Sequence, residues 1–334
     1  MTDKTKSDFD ASQSNPAFND EAVNASATTS HPDRGAREDA RAHLNPRIFH
    51  LLDAPQHQRI EHILMDRIIP YPVFEGILEE VHWLIMAPKC SRARGLIVEG
   101  VPNSGKTEIV NTVLRHYPIS AIDTPTNRRP RAVFISISGA RTTKAILNRI
   151  LEKIGVPTPQ SSTMGDREAL VIHSLRKMNC CLLIIDEIQD ALNFRESEQV
   201  RVFEVIKYLM NELRMPVLAL GADRAAGAFR ADKHLAARFD AITIPQWVVG
   251  NEFAHFLRTY EEYLPLKFRS DLARPEIQKI LIKETGGITG DIVKKINILA
   301  MNAVVSGEER ITQEALKQAQ VRPPVSVLRS QINE

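Results

Sequence analysis

Apolar positions along this chain fall into two rhythms. Short continuous apolar runs predict strands over Gly95–Glu99, Ala132–Ile137, Leu182–Asp186, Val217–Gly221 and Ala241–Ile244. Runs of this kind suit strands covered on both faces of a parallel sheet. Between the third and fourth runs, Phe203, Ile206, Leu209, Met210 and Leu213 recur at helical spacing and mark a core-facing stripe. After Pro245-Gln246-Trp247 only the helical rhythm remains, over 251–263, 274–285, 290–306 and 312–320. Ahead of the first run, Gln58–Met65 and Phe74–Ile85 read as helices. They flank an extended Ile68-Ile69-Pro70-Tyr71-Pro72, because each proline disfavours helix in the residue before it. The alternation predicts an α/β fold, a five-stranded parallel sheet flanked by helices, with a helical segment appended. The expected divisions are a tail over 1–45, a preamble over 46–94, the α/β core over 95–247, a helical segment over 248–320 and a second tail over 321–334.

Composition narrows this picture. Hydrophobic residues make up 43% of the 334, enough for a real core, and the formal net charge is +2. A near-neutral balance does not by itself announce nucleic-acid binding. No apolar run approaches the roughly 18–20 residues that span a bilayer, and Met1-Thr2-Asp3-Lys4-Thr5-Lys6 leads into no apolar segment, so neither a membrane partner nor a secretory leader is expected. The cysteines are Cys90, Cys180 and Cys181; the adjacent pair belongs to an apolar run and no spacing matches a zinc site, which fits a reducing cytoplasm. Residues 1–40 are rich in Ser, Asp, Asn, Thr and Ala, with Phe9 and Phe18 their only aromatics. Such a segment buries too little apolar surface to order itself. It is expected to be disordered, either docking a partner through its phenylalanines or dispensable.

The chemistry begins where the first strand ends. Gly100-Val101-Pro102-Asn103-Ser104-Gly105-Lys106-Thr107 is Gly-x-x-x-x-Gly-Lys-Thr, the P-loop signature, and Glu108 continues into a helix. The two glycines allow backbone angles that a side chain would oppose, so the loop N–H groups turn inward around phosphate oxygens. Lys106 brings a point charge to the outer phosphates, the Thr107 hydroxyl suits Mg2+, and the helix aims its positive end at the same anion. The third strand ends in Asp186-Glu187. Ligands bind at the carboxyl ends of parallel strands, which places Asp186 to orient Mg2+ and Glu187 to polarise an attacking water. Together these residues predict an ATP-hydrolysing site.

With its helical appendage, the chain resembles an AAA+ ATPase, the appendage corresponding to the lid. More narrowly it resembles the TniB/TnsC family of transposition ATPases. The residues carrying this are Arg67-Ile68-Ile69-Pro70-Tyr71-Pro72, Gly95-Leu96-Ile97-Val98-Glu99-Gly100, Asp186-Glu187-Ile188-Gln189, Met215-Pro216-Val217-Leu218-Ala219-Leu220-Gly221-Ala222 and Ala237-Arg238-Phe239. The resemblance covers about residues 46–320. It implies an ATP-dependent, DNA-binding regulator that polymerises on target duplex, receives a TniQ-type targeting protein and activates a transposase. It also implies that Arg238 is an arginine finger reaching a neighbouring subunit's ATP, with Arg230 as the rival position. Where AAA+ proteins carry a polar γ-phosphate sensor at the end of the fourth strand, this chain has Gly221-Ala222-Asp223, leaving Asp223 as the substitute. Gly286-Gly287-Ile288-Thr289-Gly290-Asp291-Ile292-Val293-Lys294-Lys295 resembles the sensor-2 turn and helix without its arginine; Lys294 is the remaining cation, lacking the bidentate fork.

For DNA, the expected contacts follow the second strand. Arg128-Arg129-Pro130-Arg131 precedes it, and Gly139-Ala140-Arg141-Thr142-Thr143-Lys144 opens the next helix. In the family this element faces the pore, so Arg141, Thr143 and Lys144 are expected to touch phosphates, which position a protein without reading sequence. Thr142 or Thr143 serves alternatively as a helix N-cap. Two other readings stay open: a nucleotide switch scaffolding protein partners without DNA, and a helicase-loader or chaperone-like remodeller. An aromatic pore-loop motif for gripping polypeptide is not evident, which counts against the last.

Overall fold

The computed structural model describes residues 41–89, 92–123, 129–222, 225–230, 233–318 and 322–324. Residues 1–40 of the expected tail over 1–45, Cys90, Arg128, Asp223, the Arg230 side chain and nearly all of the second tail lie outside the described residues; of the remainder, Leu44 is buried and Asn45 caps the first 3₁₀ helix. In chain order the elements are a 3₁₀ helix Pro46–Asp53, α1 Gln56–Leu64, α2 Pro72–Met86, β1 Gly95–Glu99, α3 Lys106–His116, β2 Arg131–Ser136, α4 Thr143–Lys153, α5 Met164–Lys177 and β3 Cys180–Asp186. A 3₁₀ turn Ile188–Asn193 leads to α6 Glu196–Leu213, β4 Val217–Gly221, α7 Ala225–Arg230, α8 Lys233–Ala236, β5 Phe239–Thr243, α9 Asn251–Glu261, α10 Pro275–Thr285, α11 Thr289–Ser306 and α12 Gln313–Leu316.

The five strands form one sheet in the order β2-β3-β4-β1-β5, and every neighbouring pair is parallel. β1 and β4 have the expected bounds. β2 is one residue earlier than expected, β3 begins two residues earlier at Cys180, and β5 covers Phe239–Thr243 rather than 241–244. The reason at β5 is pairing: Gly95 faces Phe239 and Glu99 faces Thr243 along the edge of β1, so register with β1 sets its length where its own short apolar run does not.

Strand alternation divides the core in two. Leu96, Val98, Leu182, Ile184, Leu218 and Leu220 point to the face covered by α2, α3 and the C-terminal helices. Ile97, Val133, Ile135, Leu183, Ile185 and Ala219 point to the face covered by α4, α5 and α6. The helices begin and end on local signals. Thr142 caps α4 by accepting from Ala145 N–H, Thr163 and Asp166 form a capping box on α5, and Pro72 and Pro275 open α2 and α10. α10 and α11 stop at Gly286 and Gly307 in the left-handed region. No helix of the described residues is long and apolar enough to cross a membrane.

The preamble is built into the body of the protein. Ile60, Ile63, Phe74 and Ile77 share one apolar cluster with the sheet and with Ile296, Leu299 and Val304 of α11. A buried ion pair fastens the same junction. Arg59 Nη1 donates to Glu309 Oε1 at 2.9 Å, Nη2 donates to Glu309 Oε2, and Nε reaches the Pro265 carbonyl at 3.1 Å. The side chains are 5% and 9% exposed. Removing one member of such a pair leaves a buried charge uncompensated. Arg59→Met or Glu309→Leu should therefore each cost about 3–5 kcal/mol, read as a lower urea midpoint, whereas the double replacement should lose less than the sum of the two.

Candidate functional site

The P-loop lies at the carboxyl end of β1, between β4 and β5, where Glu99 pairs with Gly221 on one side and Thr243 on the other. Gly100 N–H donates to the Gly221 carbonyl at 3.2 Å, fixing the loop's first residue to the end of β4. The loop then turns through Asn103 at φ 63° and Gly105 at φ 102° before α3 begins at Lys106. A φ above 100° is accessible essentially only to glycine. A Cβ on Gly100 would stand 2.5 Å from Ser104 Oγ. Ser104 is 4% exposed, and its hydroxyl is buried without a hydrogen-bond partner. An orphaned buried donor in a glycine cradle, at a helix N-terminus, fits a group rich in acceptor oxygens.

Lys106 Nζ lies over the loop, donating to the carbonyls of Gly100 at 2.6 Å and Val101 at 2.9 Å. It also acts on Asp186. Burial raises the Asp186 carboxyl above its ordinary value; the Glu187 N–H and the charge of Lys106 oppose that rise, while the Glu187 charge adds to it. The loop and the end of β3 therefore belong to one electrostatic site. Thr107 is exposed at the first turn of α3; its hydroxyl and the Asp186 carboxylate are hard oxygen donors of the kind that could hold a divalent cation beside phosphates.

Glu187 sits at φ 57° and ψ 38°, a left-handed conformation away from glycine, and Asp186 Oδ1 accepts its N–H at 2.9 Å. A bulky residue held there signals a backbone constrained by function or by its surroundings. The chain then turns into the Ile188–Asn193 helix, which brings Gln189 back so that its amide donates to Glu187 Oε2 while its Oε1 accepts Ala222 N–H at 3.1 Å.

The C-terminal helices close on the loop through a bridge that sequence reasoning did not foresee. Asn103 carbonyl accepts Gly290 N–H at 2.8 Å, and Asn103 Nδ2 donates to Asp291 Oδ1 at 3.1 Å. Behind it, Trp247 N–H donates to Gly287 carbonyl at 2.8 Å and Trp247 Nε1 to Thr289 Oγ1 at 3.0 Å. Cβ atoms on Gly287 and Gly290 would stand 2.5 Å from Trp247 O and 2.8 Å from Asn103 O, respectively. The Gly-Gly-x-x-Gly-Asp stretch stood out through its resemblance to the sensor-2 turn, but nothing local says which atoms approach it. Lys294 is exposed on α11, while Lys295 is turned inward against Glu284 at 3.5 Å and the Gln318 carbonyl at 3.2 Å.

Two expected contacts fare differently. Arg141 and Lys144 are exposed at the start of α4, but Thr143 is 1% exposed and its N–H and hydroxyl donate to Glu198 at 2.8 and 3.0 Å. Those donations hold the Glu198 carboxyl below its usual range. The N-terminus of α4 is thus satisfied by the protein's own carboxylate, and Thr143 is corrected from a phosphate contact to an internal tie; Thr142 is the N-cap. Arg238 lies outside its own P-loop site. Its carbonyl accepts Gly95 N–H at 2.8 Å at the opposite end of β1, and its Nη1 donates to Asn211 Oδ1 at 2.6 Å.

A parallel sheet in this order, a P-loop after β1, acids after β3 and a helical lid define a P-loop AAA+ module. A family profile described as "Bacterial TniB protein" matches residues 59–249, more than half of the chain, and the chain belongs to that family. No protein of curated description matches the sequence. Among solved structures, the Aeropyrum pernix ORC2 protein, solved as ADPNP-ADP complexes, is similar with a TM-score of 0.56 and 14% identity, over 78% of this chain and 70% of that one. The Aeropyrum pernix ORC1 protein in complex with DNA gives 0.55 and 14%, over 82% and 69%. Cdc6p from Pyrobaculum aerophilum gives 0.54 and 16%, over 80% and 73%.

The lid bridge makes a direct expectation. Gly290→Ala forces a Cβ against Asn103, and overpacking of this kind costs about 1–3 kcal/mol. Nucleotide affinity, measured with a fluorescent ATP analogue, should fall about tenfold, since 1.4 kcal/mol is a factor of ten, with the circular dichroism spectrum unchanged.

Proposed function

We propose that this chain is an Mg2+-dependent ATPase that assembles on duplex DNA, links a TniQ-type targeting protein to a transposase and is reset by hydrolysis. The observation that carries the reading is that the P-loop and the Asp186-Glu187 end of β3 lie at the same, carboxyl, end of one parallel sheet, joined through Gly221, Ala222 and Gln189, in a chain of the TniB family. Residues 100–108 wrap the triphosphate, with Lys106 leaving its loop carbonyls for the outer phosphates. Thr107 and Asp186 hold Mg2+, which supplies neutralisation of charge on the phosphate oxygens. Glu187 accepts the proton of the attacking water as the bond from the γ-phosphorus to the ADP oxygen breaks. Arg238 serves the ATP of a neighbouring subunit, where it offsets charge on the transferring phosphate. Lys294 on the lid contributes a cation to the same nucleotide.

DNA would be held through its phosphates by Arg141 and Lys144. Arg195 lines the same cleft as Arg141, together with Asp190 and Glu198, and would add a second guanidinium to these contacts. The structural similarity to a protein solved with DNA and to one solved with ADPNP and ADP is in keeping with both ligands. A cleft of this kind positions the duplex without reading its sequence, so affinity falls steeply with salt.

Electron microscopy of the protein with duplex DNA, with and without a non-hydrolysable ATP analogue, tests the assembly. Nucleotide-dependent rings or filaments threaded by DNA are expected, and Lys106→Ala should abolish them together with ATP binding. Glu187→Gln should bind ATP and give long-lived assemblies with hydrolysis slowed at least a hundredfold; normal hydrolysis would remove Glu187 from its role. Oligomers that form with ATP but ignore DNA at low salt would replace this reading with a protein-scaffolding switch.

The metal site carries its own pH signature. A carboxyl whose pKa is raised keeps its proton at a pH where an ordinary aspartate has already lost it, and only the ionised form binds a cation. Mg2+ dependence of nucleotide binding should therefore weaken on acidification at a higher pH than for a solvated aspartate, and Asp186→Asn should abolish that pH dependence.

A further inference from the structure

β4 ends at Gly221 and Ala222 follows it, and neither has a side-chain hydrogen-bonding group, at the point where the sheet meets the P-loop. The space above Gly221 is nonetheless filled by a polar group. A Cβ placed on Gly221 would collide with Gln189 Oε1, so the bare glycine is what admits the carboxamide. Gln189 arrives there because Glu187 takes its left-handed conformation and the next residues wind into a 3₁₀ turn. Both ends of the carboxamide are in use: the carbonyl accepts Ala222 N–H at 3.1 Å, and the amide donates to Glu187 Oε2. Gly221 carbonyl, one residue earlier, accepts Gly100 N–H at 3.2 Å. A continuous chain of contacts therefore runs from the first glycine of the P-loop, through the end of β4 and the Gln189 side chain, to the carboxylate of Glu187.

We infer that Gln189 is a positioning residue for Glu187, supplying from the 3₁₀ turn after β3 the polar link that the end of β4 lacks. The inference rests on the hydrolytic reading of Glu187. Its physical content is the division of labour on one carboxylate. Oε2 is pinned by a donor that cannot be titrated, and Oε1 has no hydrogen-bond partner among the described residues. Oε1 is thereby the oxygen left to take a proton from water. A glutamate without the pin has several rotamers to choose from and meets the water in few of them. A displacement of the P-loop's first residue would reach the carboxylate through Gly221, Ala222 and Gln189.

The role differs from packing, and two substitutions separate them. Gln189→Glu keeps the size and an acceptor for Ala222 N–H but removes the donor to Glu187. Gln189→Ala removes both links. Each should lower kcat in single-turnover hydrolysis by at least tenfold, with the Kd of a fluorescent ATP analogue within twofold of the unaltered protein. Gln189→Asn, one methylene too short to hold both partners, should fall between. Hydrolysis within twofold of normal in Gln189→Ala or Gln189→Glu overturns the inference, and so does a parallel loss of affinity and turnover, which marks a packing role. Glu187→Gln, run beside them, reports on the parent reading: normal turnover in that variant shows that Glu187 is not the base, whatever Gln189 does. Should the protein hydrolyse no ATP under any condition, the hydrolytic reading fails, and nuclear magnetic resonance of the Gln189 side-chain amide decides the contact by itself. Its donating proton should shift when Glu187 is replaced by alanine, and an unmoved resonance overturns the inference.

Discussion

The junction at Trp247 is the constraint on which the rest of this molecule depends. Trp247 leaves the sheet just after β5 and is 9% exposed. Its backbone N–H and indole Nε1 hold Gly287 and Thr289 of the lid, and its ring packs 5.0 Å from Tyr71 and Phe256 and 5.2 Å from Phe253. Three sequence-distant segments meet there: the preamble through Tyr71, the sheet through the strand-to-lid linker, and the lid through α9 and α11. Aromatic pairs at these separations contribute about 0.5–1.5 kcal/mol each beyond the area they bury. The larger consequence is geometric. Seating Gly287 on Trp247 fixes the start of α11, and that start is what touches Asn103 of the P-loop.

This arrangement explains why the preamble is more than a leader to the ATPase core. Pro72 keeps Tyr71 out of the helix it opens, and the extended Tyr71 then lies against Trp247. Arg67 packs over the Tyr263 ring at 5.1 Å and bonds to His62, while Arg59 reaches Glu309 beyond the lid helices. The contacts of Tyr71 with Trp247, Arg67 with Tyr263 and Arg59 with Glu309 join the stretch before the P-loop to the stretch after β5. A lid tied on two sides has few ways to move independently of the loop it covers. The charged tie is also an expensive one, since a buried pair gains little over apolar residues of the same shape while fixing one arrangement.

The fold was legible because each strand carries its own signal. Ile97, Leu183 and Ala219 are buried whichever helices lie above them, and the apolar runs say so directly. The phosphate loop was legible for a related reason, as its chemistry resides in consecutive residues. What escaped were bonds between partners far apart in the chain. Asn103 with Asp291 spans 188 positions, Thr143 with Glu198 spans 55, and Ala222 with Gln189 spans 33. Thr143 shows the consequence most plainly. A threonine at a helix start is an open donor on local reasoning, and only the arrival of α6 brings the carboxylate that occupies it. The polar gap at the end of β4 was visible in Gly221-Ala222, but its filling by a side chain from the turn after β3 was not, because that requires knowing how the chain turns after Glu187.

Arg238 presents the remaining asymmetry. Its backbone is bonded to Gly95 at the start of β1, whereas the P-loop opens at the end of the same strand. Four strand steps at roughly 3.3 Å each separate the two by about 13 Å, beyond the reach of a side chain already turned toward Asn211. The chain thus carries its P-loop at one end of the sheet and this arginine at the other. In a single subunit the two have no way to act on one phosphate. In a head-to-tail array, each arginine end can face the next subunit's loop, and repeated heterologous contacts of that kind close into a ring or continue as a helix. On the proposed function, hydrolysis would then be a property of the contact between subunits, while the Gln189 link is a property of each chain. Two controls of different origin, one from a neighbour and one from within, would converge on the single carboxylate of Glu187.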